Sequence, residues 1–180
     1  MLMKYLFVLM FAANVMVAQT QTIPADIEIA FTVREFGLSK VQGWFYSDGT
    51  PSEATFKDGT LVAFEGCVAA NSFATGVAAR DRNVVNKEEF LNAEKYPTIC
   101  FTANKIEFVG KIGNETTYDM RGDLTLRGET HPIEVRVVQT DAKSLEASFS
   151  IDRTQWSVGT GPAALVISDN VDLVAKINLN

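Results

Sequence analysis

Residues 118–137 read YDMRGDLTLRGETHPIEVRV, and this stretch decides the fold. Tyr118, Met120, Leu124 and Leu126 share one parity, while Asp119, Arg121, Asp123 and Arg127 share the other. The pattern breaks at Arg127-Gly128 and resumes with Ile133, Val135 and Val137 against Glu134 and Arg136. Successive side chains of a strand point to opposite faces, so each run has one apolar and one wet face. That division marks antiparallel sheet, whereas parallel strands are buried on both faces. Arg127-Gly128 supplies a tight turn between the two runs. Pro132 then falls near the start of the return strand, where a missing N–H is tolerated.

The same period recurs along the chain. Ile27, Ile29, Phe31 and Val33 oppose Glu28, Thr32 and Arg34. Leu145, Ala147, Phe149 and Ile151 oppose Glu146, Ser148, Ser150 and Asp152, and Val171 to Leu179 alternates likewise. Eight strands are predicted: 27–35, 40–47, 60–71, 97–108, 115–126, 132–140, 144–152 and 169–179. Turn residues such as Ser47-Asp48-Gly49, Lys57-Asp58-Gly59 and Asp141-Ala142-Lys143 separate them. Eight antiparallel strands can close into a barrel filled by side chains or holding one small ligand. A two-sheet sandwich satisfies the same alternation.

One segment departs from period two. Thr75 to Phe101 reads TGVAARDRNVVNKEEFLNAEKYPTICF and lies between the third and fourth predicted strands. Ala78 to Arg82 form a charged cluster, and Lys87 to Leu91 are expected to make one or two helical turns. Pro97 opens the next strand and drives Tyr96 out of helical geometry.

The chain opens as an export leader does. Lys4 precedes an apolar run from Tyr5 to Val17, and Ala18 stands ahead of polar residues. Residues 1–18 are expected to be a signal peptide cleaved near Ala18, leaving residues 19–180 as one barrel domain in the periplasm or outside the cell. The apolar run is too short for a transmembrane anchor, which needs about 20 residues. Losing residues 1–18 removes Lys4 and no acid, so the net charge moves from −6 to −7. An acidic chain without a basic stripe is a poor partner for nucleic acid. Nor does it carry the Lys/Arg cluster expected for an anionic membrane surface.

Three motifs together resemble the YceI-like family. They are the Thr75–Phe101 segment, the Gly122–Ile133 hairpin, and Phe149–Gly159 (FSIDRTQWSVG) followed by Ile167-Ser168-Asp169-Asn170-Val171. The resemblance spans roughly residues 25–180. It implies an all-β, eight-stranded antiparallel, lipocalin-like barrel with a short helical insertion. It also implies an isoprenoid lipid, of polyprenyl or quinone type, carried in an apolar lumen. Family members often carry a His-Ser pair before the first strand and an Arg-His pair at its end. Here Asp26-Ile27 and Arg34-Glu35 stand in those places.

Under that resemblance the expected ligand-lining residues are Phe31, Val33, Phe45, Phe64, Phe90, Phe101, Leu124, Phe149 and Trp156, with Arg34 and Arg80 as head-group partners. The bland alternative for the apolar set is plain core. For Arg80 it is a local pair with Asp81 that fastens the insertion. Cys67 and Cys100 share an outward parity on strands expected to be neighbours, which suggests a disulfide in an exported protein. His131 is the only histidine, so a clustered-His metal site or a separate-His triad has nothing to draw on, and it is expected to face solvent in a turn. No catalytic residue and no cofactor beyond a bound lipid is expected. The rival readings are an enzyme working at the barrel mouth through Asp81 or Glu35, and a structural barrel with a filled lumen. Pairing of two copies into a homodimer stays open.

Overall fold

In a computed structural model that describes residues 18–161 and 165–180, Thr20–Glu35 form a single strand, β1, of 16 residues. One edge of β1 pairs with β9 (Asn170–Leu179) along Ala25–Thr32. The other edge pairs first with β3 (Glu53–Lys57) along Thr20–Pro24, then with β2 (Ser39–Tyr46) along Glu28–Glu35. From β3 the sheet continues through β4 (Thr60–Ala69), β5 (Thr98–Ile112), β6 (Glu115–Leu126), β7 (Glu129–Gln139) and β8 (Ser144–Asp152) to β9. Every pairing is antiparallel, and eight strands close a ring. β2 is a ninth strand in line with β3, and it carries the wall at one end of the barrel only.

Two differences from the strands read in the sequence bear on how the ring closes. The strand expected to begin at Ile27 begins at Thr20, because the polar Thr20–Pro24 segment finds a partner in β3. β3 itself is absent from the predicted set. It is five residues long and shows only Ala54 and Phe56 on its inner face, too little alternation to register against the neighbouring turns.

The signal peptide expected over residues 1–18 lies outside the described residues but for Ala18. Among the described residues no helix is long and apolar enough to cross a membrane.

The insertion folds as a helix, α1 (Ala78–Asn86), upstream of the Lys87–Leu91 site expected for it. Ala78 and Ala79 are strong helix formers, and Asp81 in the first turn complements the helix dipole. Lys87 leaves helical geometry at φ −74°, ψ 142°, and Lys87–Leu91 instead form a turn that docks Leu91 N on Val84 O.

The barrel is packed unevenly along its axis. Ala54, Leu61, Tyr118, Met120, Leu145 and Ile177 fill one end. At the other end Leu91, Leu124, Leu126 and Trp156 form a smaller cluster under α1 and the 3₁₀ turn Arg153–Trp156. β7 pairs with β8 only from Val137 to Gln139, so the two strands part above that point. Trp156 fills the opening: its ring meets His131 edge to face at 5.1 Å, and its Nε1 donates to Leu124 O at 3.1 Å. Pro132 lies on the stretch of β7 that β8 leaves unpaired, so its missing N–H costs the sheet nothing. His131 lies inside β7, Cα-paired with Leu124, and not in the turn where solvent exposure was expected.

Gly122 is required by close packing. It faces Ala103 beside a bulge at Asn104, and a Cβ there would stand 2.7 Å from the Phe101 ring and against the Thr102 carbonyl. Gly122→Ala is expected to lower unfolding free energy by about 1–3 kcal/mol through overpacking. Urea titration should show a lower midpoint at unchanged slope.

Candidate functional site

The helical end of the barrel encloses an apolar cavity of about 170 Å³. A second cavity of about 70 Å³ lies deeper in the barrel. Ile29, Val68, Ile99, Leu124 and Phe149 line both, so these side chains are the partition between them. They arise from alternate positions of β1, β4, β5, β6 and β8, the parity that the period-two reading assigns to the interior.

Of the residues singled out in the sequence, Phe31, Val33, Phe45, Phe90, Leu124 and Phe149 line the larger cavity. Phe64 and Phe101 line the deeper one. Trp156 lines neither, because it is occupied in closing the gap between β7 and β8. Phe73, just after the Ala70–Ser72 turn, joins the site although nothing in the sequence pattern marks it. It stacks on Phe31 at 5.1 Å and meets Phe45 edge-on at 5.4 Å, while Phe31 and Phe45 lie 5.6 Å apart. This aromatic trio walls the mouth where β2 pairs with Ala74. Gly43 makes room for it, since a Cβ there would stand 2.5 Å from Phe31 Cζ.

Charge is confined to the rim. Arg80, in α1, reaches Glu35 at the end of β1 with Nη1–Oε1 of 3.8 Å, and both side chains are about 30% exposed. Its Nε donates to Thr75 Oγ1 at 2.9 Å, and Thr75 in turn donates from N and Oγ1 to Asp81 Oδ1. Arg80 and Asp81 therefore do not pair with each other. They grip Thr75 from two sides, and Arg80 also lines the cavity. Arg34 is exposed and off the cavity, since strand parity turns it outward beside Glu35. Its backbone N donates to Ser168 Oγ.

Arg153 enters the sequence reading only as part of a motif, yet it organises the mouth. It is 4% exposed and lines the larger cavity. Nε donates to Ser168 O, Nη1 to Val158 O and Gly159 O, and Nη2 to Ile167 O and Asp169 Oδ1. All five guanidinium N–H groups are thus consumed by the protein, leaving none for a guest. Arg127 does similar service in the β6–β7 turn, donating to Glu88 O at 2.7 Å and to Ser157 O. The sequence offered one hint of these roles: each arginine directly adjoins the end of a strand, where loop carbonyls lack partners.

Asp152 accepts from Thr154 N and Oγ1 and starts the 3₁₀ turn. The Thr154 hydroxyl, then its N–H, hold the Asp152 carboxyl below its ordinary value, with Arg153 adding to the effect. Cys67 and Cys100 are Cα partners across β4 and β5 and are joined as a disulfide. Cys67 points outward but is buried, because the Ser47–Ser52 connection folds over it. Ser52 Oγ accepts from Cys67 N at 2.9 Å and donates to Cys67 O at 3.2 Å.

A closed antiparallel barrel, packed at one end and hollow at the other beneath a helical cap, defines the lipocalin-like class of single-mouthed barrels. Residues 21–179 match the YceI-like domain, and the chain belongs to that family. It is 32% identical to protein YceI of Escherichia coli O157:H7 over 186 residues, covering 94% of this chain and 91% of that protein. Among solved structures it is similar to Burkholderia cenocepacia BcnA at a TM-score of 0.67 and 19% identity, over 85% of this chain and 94% of that one. It is also similar to a polyisoprenoid binding domain from Saccharophagus degradans implicated in plant cell wall breakdown. That match has a TM-score of 0.63 at 13% identity, over 88% of this chain and 98% of that one.

Two substitutions test this account of the mouth. Arg153→Gln strands backbone carbonyls in a buried setting and is expected to cost about 3–5 kcal/mol of stability, read by chemical denaturation. Asp152→Asn is expected to flatten the acid limb of the stability profile. The wild-type contribution is complete above the ordinary carboxylate pKa of about 3.9 and is lost as pH falls through the lowered folded value. Unfolding midpoints measured from neutral pH down into that range should therefore drop more steeply in the wild type.

Proposed function

We propose that this protein sequesters an isoprenoid lipid, of polyprenyl or quinone type, with its chain in the lumen and its head group at the Arg80–Glu35 rim. The observation that carries the reading is an apolar cavity with the Arg80 guanidinium placed at its edge. Desolvation of the chain drives affinity, at roughly 0.8 kcal/mol per methylene before the costs of association. An apolar cavity of about 150 Å³ takes a benzene-sized guest, so the larger cavity seats about the first isoprene unit. A longer chain advances when Leu124 and Phe149 turn aside and admit it to the deeper cavity.

The binding named for the Saccharophagus degradans domain supports the same chemistry, and the leader-like first 18 residues support action in the periplasm or outside the cell. The chain is read as a carrier and not an enzyme. Asp81 is engaged by Thr75 and Glu35 by Arg80, and these contacts serve to fasten α1 at the rim.

The test is titration of the purified protein with a geranyl-substituted benzoquinone, followed by native mass spectrometry and tryptophan fluorescence. Val33→Trp should fill the larger cavity and weaken binding at least tenfold while circular dichroism stays unchanged. Equal affinity in the two proteins, or no binding by the wild type, overturns the proposal.

A further inference from the structure

The hairpin joining β1 to β2 carries two large apolar side chains into solvent: Phe36 is 73% and Leu38 is 89% exposed. Leu165, 90% exposed, belongs to the segment zipped against the same hairpin, where Phe36 N donates to Val166 O and Ser168 N to Arg34 O. The flanking residues Glu35 and Ile167 both line the larger cavity, so this apolar tip stands at the lumen mouth. Phe36 also sits at φ 50°, a conformation that a bulky residue rarely adopts. Neither packing nor the turn accounts for a phenylalanine there.

Charge surrounds the tip in a particular way. Arg34 and Lys40 are Cα partners just behind it, and both are exposed. Glu35, which lies between Arg34 and the tip in sequence, lines the cavity and pairs with Arg80. The linear sequence hides this pair of cations, which the hairpin brings side by side. An apolar tip with a basic collar on an otherwise acidic protein matches a phospholipid surface: acyl chains ahead, phosphates behind.

We infer that the Phe36–Leu38 hairpin and Leu165 dock the barrel mouth onto a phospholipid bilayer, so that a lipid passes from membrane to lumen without crossing water. This inference rests on the lipid-carrier reading, but its test separates the two. The full chain is floated with vesicles of phosphatidylcholine containing phosphatidylglycerol, and binding of the geranyl-substituted benzoquinone is measured separately without vesicles. The F36S/L38S/L165S variant is expected to lose vesicle association at least tenfold while binding the soluble quinone with unchanged affinity. Lys40→Gln is expected to weaken association with the anionic vesicles about fivefold and to change little on pure phosphatidylcholine.

Failure of the wild type to float, or equal flotation by the triple variant, overturns the docking inference whatever the quinone result. Flotation that is lost in the triple variant, with no quinone binding by the wild type, upholds docking and removes the carrier reading. Light scattering that finds dimers dispersed by the triple substitution, without vesicle binding, overturns the inference in favour of self-association.

Discussion

Ring closure between β1 and β9 is the constraint from which the other features follow. An open sheet of this length would expose unpaired N–H and C=O groups along both outer strands. Eight Cα pairs, from Ala25–Leu179 to Thr32–Asp172, remove that liability and join the first and last strands of the chain. Closure also makes an inside. Once the ring is shut, alternate residues of every strand must either fill the lumen or leave it hollow. At the Tyr118–Met120–Leu145 end they fill it, and at the Phe31–Val33–Phe149 end they do not.

Closure is imperfect in one place, and the repair shapes the mouth. β7 and β8 share three residue pairs before they separate. The chain leaving β8 turns back at once through Arg153–Trp156, so Trp156 plugs the wall and Arg153 falls beneath the returning loop. The carbonyls of that loop converge on one guanidinium, whose planar fork of donors suits several acceptors held in fixed directions. An arginine beside an apolar cavity invites a reading as a head-group ligand. Its five satisfied N–H groups assign it to architecture.

Most of the fold was legible because the lumen imposes period two on every strand long enough to show it. β6 displays the alternation over 12 residues, whereas β3 has only 5, with Ala54 as a weak signal. The interior set was legible for the same reason: parity places Phe31, Val33, Phe64, Phe101, Leu124 and Phe149 inside. Parity could not say where the hollow begins, nor that Trp156 leaves the sheet before it reaches the lumen. Phe73, Arg153 and the Arg80–Glu35 contact were beyond it, because they depend on where loops return in space. Helix placement failed locally too: Lys87–Leu91 has helical composition, yet Leu91 gains more by packing into the apolar cluster than by continuing a helix.

The Cys67–Cys100 bond sits at the two roots of the insertion, where the chain leaves β4 and where it rejoins the sheet in β5. Everything between those cysteines, α1 and Phe90 included, is consequently a covalently closed loop whose two ends are pinned together on the wall, while the Arg80–Glu35, Trp44–Ala74 and Arg127–Glu88 contacts hold its body to the barrel. Motion of such a loop leaves the strands beneath it in register, because its ends cannot draw apart. The segment that covers the mouth is thus 33 residues away from its start in sequence when it returns, yet its covalent path back to the wall is a single bond.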